Sequence, residues 1–213
     1  MAKLELRSLI RKLNSYCNGA LENAAGLCMA RSHYEVTIDH MLLKLVDNPQ
    51  ADVQHILRYF EVEPARIIGA LQHNVEGLRA GNTGKPVFSP LLPKWFEQAW
   101  LLGSINLGQP VLRSGTLLLA LLESPSQYLV GGEVLELEAV DPDLLAKEFR
   151  TIVGASAEAL EAAVAAAAPD AAGRPGAEGA APTGEGALGR FCIDFTARAK
   201  QGEIDPVFGR DRE

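Results

Sequence analysis

Cysteine and histidine are the side chains whose chemistry needs the fewest helpers, and this 213-residue chain carries three of the first and four of the second. Cys17 and Cys28 lie eleven positions apart, a spacing that returns to the same face of a helix, and that face is otherwise apolar. A thiol nucleophile needs a base within reach and a third group to orient the base. His33 and His40 stand close to Cys28 in sequence, but no acid completes the set. Cysteines on an apolar face pack as small hydrophobes, and core packing is the reading we take. A small thiol-dependent enzyme using Cys17 or Cys28 is the rival from another class; slow labelling of both thiols in the native protein excludes it. His33, His40, His55 and His73 lack the i, i+4 or cysteine-paired spacing of a metal site, so no metal is expected.

Phosphate chemistry fares no better. A P-loop reads Gly-x-x-x-x-Gly-Lys-Ser/Thr because backbone amides wrap the phosphates and the hydroxyl meets magnesium. The nearest candidate, Gly84-Lys85, runs into Pro86, and Arg79 stands where the first glycine belongs. The chain is therefore expected to hold no catalytic residue and no cofactor of its own. Trp95 and Trp100 share one helix and read as core, Trp95 keeping the alternative of ligand stacking beside an apolar linker.

Composition narrows the partners. Lys and Arg total 20 against 27 Asp and Glu, a formal charge of -7, and an acidic chain repels a phosphate backbone. No nucleic-acid partner is expected. Lys3, Arg7, Arg11 and Lys12, interleaved with Leu4, Leu6, Leu9 and Ile10, suit a membrane-surface helix, but equally a helix with one wet and one buried face. We take the second reading. No stretch reaches the roughly 20 apolar residues of a membrane span, and the N-terminus lacks the apolar core of a signal peptide. An odd cysteine count, Cys192 being the third, fits a reducing compartment. A cytoplasmic protein without a membrane partner is expected.

The elements that would position any site are helices, and the expected fold class is all-α. Leu6, Leu9 or Ile10, Leu13, Cys17, Leu21, Ala24 and Cys28 recur at three- and four-residue steps, predicting one long helix from about Glu5 to Ala30. Helices follow over about Thr37–Asp47, apolar on most sides, over Ala51–Phe60, and from Pro64, which suits a first turn. The order then repeats. Pro93–Leu107 answers the first helix, and Leu117–Leu122, after a Ser114 cap, answers Met41–Val46. Val140-Asp141-Pro142 answers Val62-Glu63-Pro64, all at offsets near 75 to 78 positions. Such self-similarity marks an internal duplication, here two pseudo-twofold four-helix repeats, with the two most buried helices expected to pack together at the centre.

The expected domains are residues 1–76, a first helical repeat; 77–92, an inter-repeat linker; and 93–155, a second repeat, with 1–155 sharing one core. Residues 156–187 are an Ala/Gly/Pro-rich tether, opening with a short helix from Glu158 that Ser156 can cap. Order is expected to resume over 188–213. The linker's second half, Val87-Phe88-Ser-Pro-Leu91-Leu92, is unusually apolar for a connection, so it must pack on the domain, line a groove, or do both.

The duplicated pattern resembles the double N-domain of the Clp/Hsp100 AAA+ unfoldases. Residues 188–213 look like the opening of the first AAA+ module in that family, whose hallmark Asp-Pro-Val-aliphatic-Gly-Arg stands here as Asp205-Pro206-Val207-Phe208-Gly209-Arg210. Phe208 departs from the pattern. The chain stops at Glu213, before any Walker element, and is expected to be a piece of a longer protein. Cys28-Met-Ala-Arg-Ser-His-Tyr-Glu-Val36, His40-Met-Leu-Leu-Lys-Leu45 and Arg113-Ser-Gly-Thr-Leu117 resemble the branch that serves type VI secretion.

That resemblance implies a substrate-recognition domain that captures an N-terminal helix of the large sheath subunit, so that the ATPase can disassemble and recycle contracted sheaths. It implies a homohexameric full-length protein using ATP and Mg, with AAA+ modules of the same chain as partners. The fragment alone is expected to be a monomer, which gel filtration would separate from a ring-assembly element. The alternative is the N-domain of a general Hsp100 disaggregase or an adaptor-binding Clp ATPase. An apolar helix beside an apolar linker can receive an amphipathic helix. The residues expected to do so are Leu6, Leu9 and Leu13 on the first helix with Phe88, Leu91 and Leu92 on the linker.

Overall fold

The structure is a computed structural model that describes residues 6–129, 132 and 134–167. The part of the tether beyond residue 167 and the AAA+ opening at 188–213 lie outside the described residues. The predicted long first helix is two: α1, Leu6–Ile10, and α2, Ser15–Ala30. A backbone bond from elsewhere breaks it. Leu112 N–H donates to Lys12 O at 2.6 Å, and Asn14 N–H donates to Leu112 O at 2.9 Å. Residues 12–14 thus pair as a strand, and Asn14 becomes the cap of α2, accepting from Cys17 N–H, as short polar side chains at this position do.

The chain then forms β1, Glu35–Val36; α3, Ile38–Leu45; α4, Asp52–Tyr59; α5, Pro64–Glu76; β2, Val87–Phe88; and α6, Leu91–Leu101. A π-helical turn, Leu102–Asn106, ends α6. Next come α7, Ser114–Leu122; α8, Pro125–Tyr128; a 3-10 turn, Leu135–Ala139; α9, Pro142–Val153; and α10, Ala157–Ala167. Every residue of α7 is buried, as its apolar run requires. Arg113, not Ser114, is its cap residue.

β1 and β2 pair in parallel, Val36 opposite Phe88, and Ser89 N–H donates to Val36 O at 3.0 Å. The isolated parallel bridge between Leu13 and Leu112 occupies the positions that the sequence offset relates to Phe88 and Val36. The helices cross over in the same way. α4 packs on α7 and α9, while the 3-10 turn that follows α8 packs on α5. Each half thus supplies a lid for the other, and one core results. The two buried helices pack chiefly on other partners than each other: α3 on α2 and α5, α7 on α6, α4 and α9. Leu42 and Leu118 both line one small internal void.

Candidate peptide-binding surface

Three of the six expected site residues are sealed inside. Leu9, Leu13 and Leu92 are 1%, 5% and 0% exposed. Leu9 and Leu13 are held there by the chain break, which lays α1 across α6 and fastens Leu13 to Leu112. Leu92 sits in the first turn of α6, facing the core. These three shape the core rather than offer a surface. Leu6 and Leu91 are half-buried. Phe88 is the one that stays open, 42% exposed beside Val87 at 60%.

An exposed apolar group surrounds Phe88 in the chain's pairing scheme. Val87 N–H donates to Tyr34 O at 3.0 Å, and the Tyr34 ring, itself exposed, carries Arg79 at 5.0 Å from its centroid. A surface cavity of about 410 Å³ lies between His33, Tyr34, Glu35 and Thr37 on one side and Leu78 and Arg79 on the other. β1 packs on α2, whose outward positions include exposed Glu22, Asn23, Gly26 and Met29. Gly19 and Gly26 face open space, with nothing within 4 Å of where a side chain would start.

Cys17, Cys28, His33 and His40 are buried, both cysteines fully. Burial and the nearby Glu158 push the Cys17 thiol well above its ordinary range, and burial with Glu35 raises Cys28. Both shifts oppose thiolate formation, the reverse of what a nucleophile needs. His33 Nδ1 meets His40 Nε2 at 2.9 Å, a pair hidden from solvent that spacing did not reveal. Thr37 N–H donates to His40 Nδ1 at 3.2 Å, so the His40 proton sits on Nε2 and is donated to His33. Burial, with His33 adjacent, lowers His40 to about 4. Among the described residues no group of three or more His, Cys, Asp or Glu could hold a metal ion.

A polar cluster that sequence reasoning missed ties the helices beneath. Arg113 grips Asp52 through two bonds of 2.8 and 2.7 Å. Ser156 donates to Asp52 Oδ1, and Glu158 accepts from Asn14, Asp52 N–H and Ser114. The signal was slight, since Asp52, Arg113 and Glu158 are spread along the chain with no common period. Ser156 does cap α10, accepting from Ala159 N–H at 3.0 Å, as its sequence context suggested. Residues 156–167 therefore belong to the folded domain, not to a tether.

Paired strands joining two halves, helices exchanged between them and an open apolar edge define a helical N-terminal domain of the Clp type. The profile of the Clp repeat (R) N-terminal domain matches residues 12–131, and the chain belongs to that family. The AAA+ ATPase ClpV1 of Pseudomonas aeruginosa is 31% identical over 218 residues, an alignment covering 100% of this chain and 24% of that protein. The chain thus spans about a quarter of the length of this curated relative. Among solved structures, the N-domain of ClpV from Vibrio cholerae matches with a TM-score of 0.69 at 38% identity, over 74% of this chain and 95% of that one. A complex of a ClpV N-domain with a VipB peptide matches with a TM-score of 0.67 at 38% identity, over 74% and 97%.

Proposed function

We propose that this chain is the substrate-recognition domain of a ClpV-type ATPase, and that it binds an amphipathic N-terminal helix of the large type VI sheath subunit. The observation that carries the reading is the outer face of α2. Glycine inside a helix costs roughly 1 kcal/mol relative to alanine, and nothing in the domain lies within 4 Å of where a Cβ at Gly19 or Gly26 would stand to explain it. A second helix laid on that face would, because interaxial distance is set by the side chains at the contact. On α6, the counterpart of α2, such a berth is filled by α1. The counterpart of α1 would be residues 81–85, which form no helix and instead hydrogen-bond at Ser32. The relative's complex with a VipB peptide supports an external occupant.

Val87 and Phe88 supply the apolar wall, while Leu9, Leu13 and Leu92 stay in the core. The occupant's apolar residues at i, i+3, i+4 and i+7 would meet the wall while its backbone rides over Gly19 and Gly26. Captured sheath subunits would then pass to AAA+ modules of the full-length protein, which would use ATP and Mg in a cytoplasmic homohexamer. The fragment alone would be a monomer without catalysis. Amide chemical shifts on titration with a sheath-helix peptide test the site. We expect the largest changes at Gly19, Asn23, Gly26 and Phe88; changes centred on α9 would contradict it. Binding of an unfolded model protein with equal affinity would favour the general disaggregase instead.

A further inference from the structure

α10 is joined to the domain by polar bonds more than by apolar contact. Leu160 and Val164 on its surface are 62% and 72% exposed, whereas Glu158 in its first turn is 2% exposed. That carboxylate is the meeting point of three other helices. Its Oε2 accepts from Asn14 Nδ2 and from Ser114 N–H, both at 2.8 Å, and Cys17 Sγ lies 3.9 Å away. Its Oε1 accepts from Asp52 N–H at 2.8 Å and from Ser114 Oγ. Two of these donors are the otherwise orphaned first-turn amides of α4 and α7. Asn14 is the cap of α2, so its orientation, and with it the first turn of α2, is set by a side chain from the far end of the domain. One turn further along α10, Glu161 accepts from Ser15 N–H at 3.3 Å.

We infer that Glu158 is a positioning residue for α2: α10 closes as a clasp on the amino end of the helix that forms the binding surface. The inference rests on the reading of α2 given above. Its consequence is that the segment leaving the domain and the helix receiving the peptide move as one piece. Opening the clasp loosens one end of the binding face while α3 and α5 keep their own packing.

Every partner of Glu158 is a donor. Glutamine at this position must therefore aim its NH₂ group at a donor in either orientation, and Glu158→Gln opens the clasp without altering side-chain size. Amide hydrogen exchange on the whole chain reads the effect residue by residue. We expect exchange in α10, at Asp52 and Ser114, and in the first turn of α2 to speed about tenfold or more, as loss of buried partners predicts. Amides of α3 should stay within about twofold. Affinity for a fluorescein-labelled peptide of the sheath subunit's amino-terminal helix should fall several-fold.

Uniform acceleration through α3, or none anywhere, overturns the clasp. Accelerated exchange with unchanged peptide affinity overturns the positioning role. Should Glu158→Gln fail to fold, Ser156→Ala removes the α10 cap and its bridge to Asp52 while leaving the carboxylate, and carries the same test with smaller changes. A wild-type domain that ignores the peptide overturns the binding reading and the positioning role with it, while the exchange contrast still decides the clasp.

Discussion

Asp52 and Arg113 form a two-point ion pair closed to water: Nε to Oδ2 is 2.8 Å, Nη2 to Oδ1 is 2.7 Å, and their side chains are 0% and 8% exposed. The pair joins the first turn of α4 to the cap of α7, one residue from each half of the molecule. Removing a single partner leaves a buried charge alone, which typically costs about 3 to 5 kcal/mol. Asp52→Asn and Arg113→Met should each lower the unfolding free energy, read from urea titrations, by a margin of that order. Combining them should recover much of the loss, because the stranded charge is gone. Additive losses in the double variant would show that the pair does not act as a unit.

Gly115 sits where the two halves pack tightly. A Cβ there would stand 2.9 Å from Asp52 Cβ and 3.0 Å from Phe149 Cζ. Neither neighbour can yield, since Asp52 is held by Arg113 and Phe149 is 1% exposed. Gly115→Ala should therefore destabilise the domain by about 1 to 3 kcal/mol, the usual cost of overpacking. The gain in helix propensity, roughly 1 kcal/mol, would otherwise make the change favourable. Thermal melting decides the sign.

The histidine pair makes stability fall in acid. His40 is lowered from the ordinary 6.5 to about 4 by burial and by His33, and His33 is lowered by burial and Arg31. Between these values the unfolded chain binds the proton and the folded one does not. Stability contributed by neutral His40 is thus present above about pH 6.5 and is lost as pH falls towards 4, an effect on the order of 3 kcal/mol. Glu158, raised chiefly by burial and then by Asp52, acts with the opposite sign, costing stability as pH rises through its shifted value. Urea midpoints from pH 4 to 8 should climb to a plateau near 6.5, and His40→Gln should flatten the climb. A climb that survives this substitution would assign it elsewhere.

Where the chain's own pattern decides structure, the sequence was informative. α5 and α9 begin at Pro64 and Pro142 as expected, and the apolar runs of α3 and α7 are buried as their all-round hydrophobicity demands. The break at residues 11–14 was hidden, because Leu9, Leu13 and Cys17 keep helical spacing straight through it. What ends α1 is the backbone of Leu112, a contact with no local trace. Burial of Leu9, Leu13 and Leu92 was hidden for the same reason, since apolar spacing does not say which apolar residues face a partner. The more telling signal at the surface was the pair Gly19 and Gly26, whose cost in a helix becomes meaningful only once the space above them is seen to be open.

Whether the α2 face receives the peptide is read by fluorescence anisotropy, from the affinity of a labelled sheath-helix peptide for Gly26→Leu, for Phe88→Ala and for the unmodified domain. Gly26→Leu fills the open face without touching the core and should weaken binding by at least tenfold, about 1.4 kcal/mol. Phe88→Ala removes the apolar wall and should weaken it by a similar factor. Both proteins should keep the melting temperature of the parent. Parental affinity in two folded variants would mean that the peptide binds elsewhere and that the α2 face is not the site.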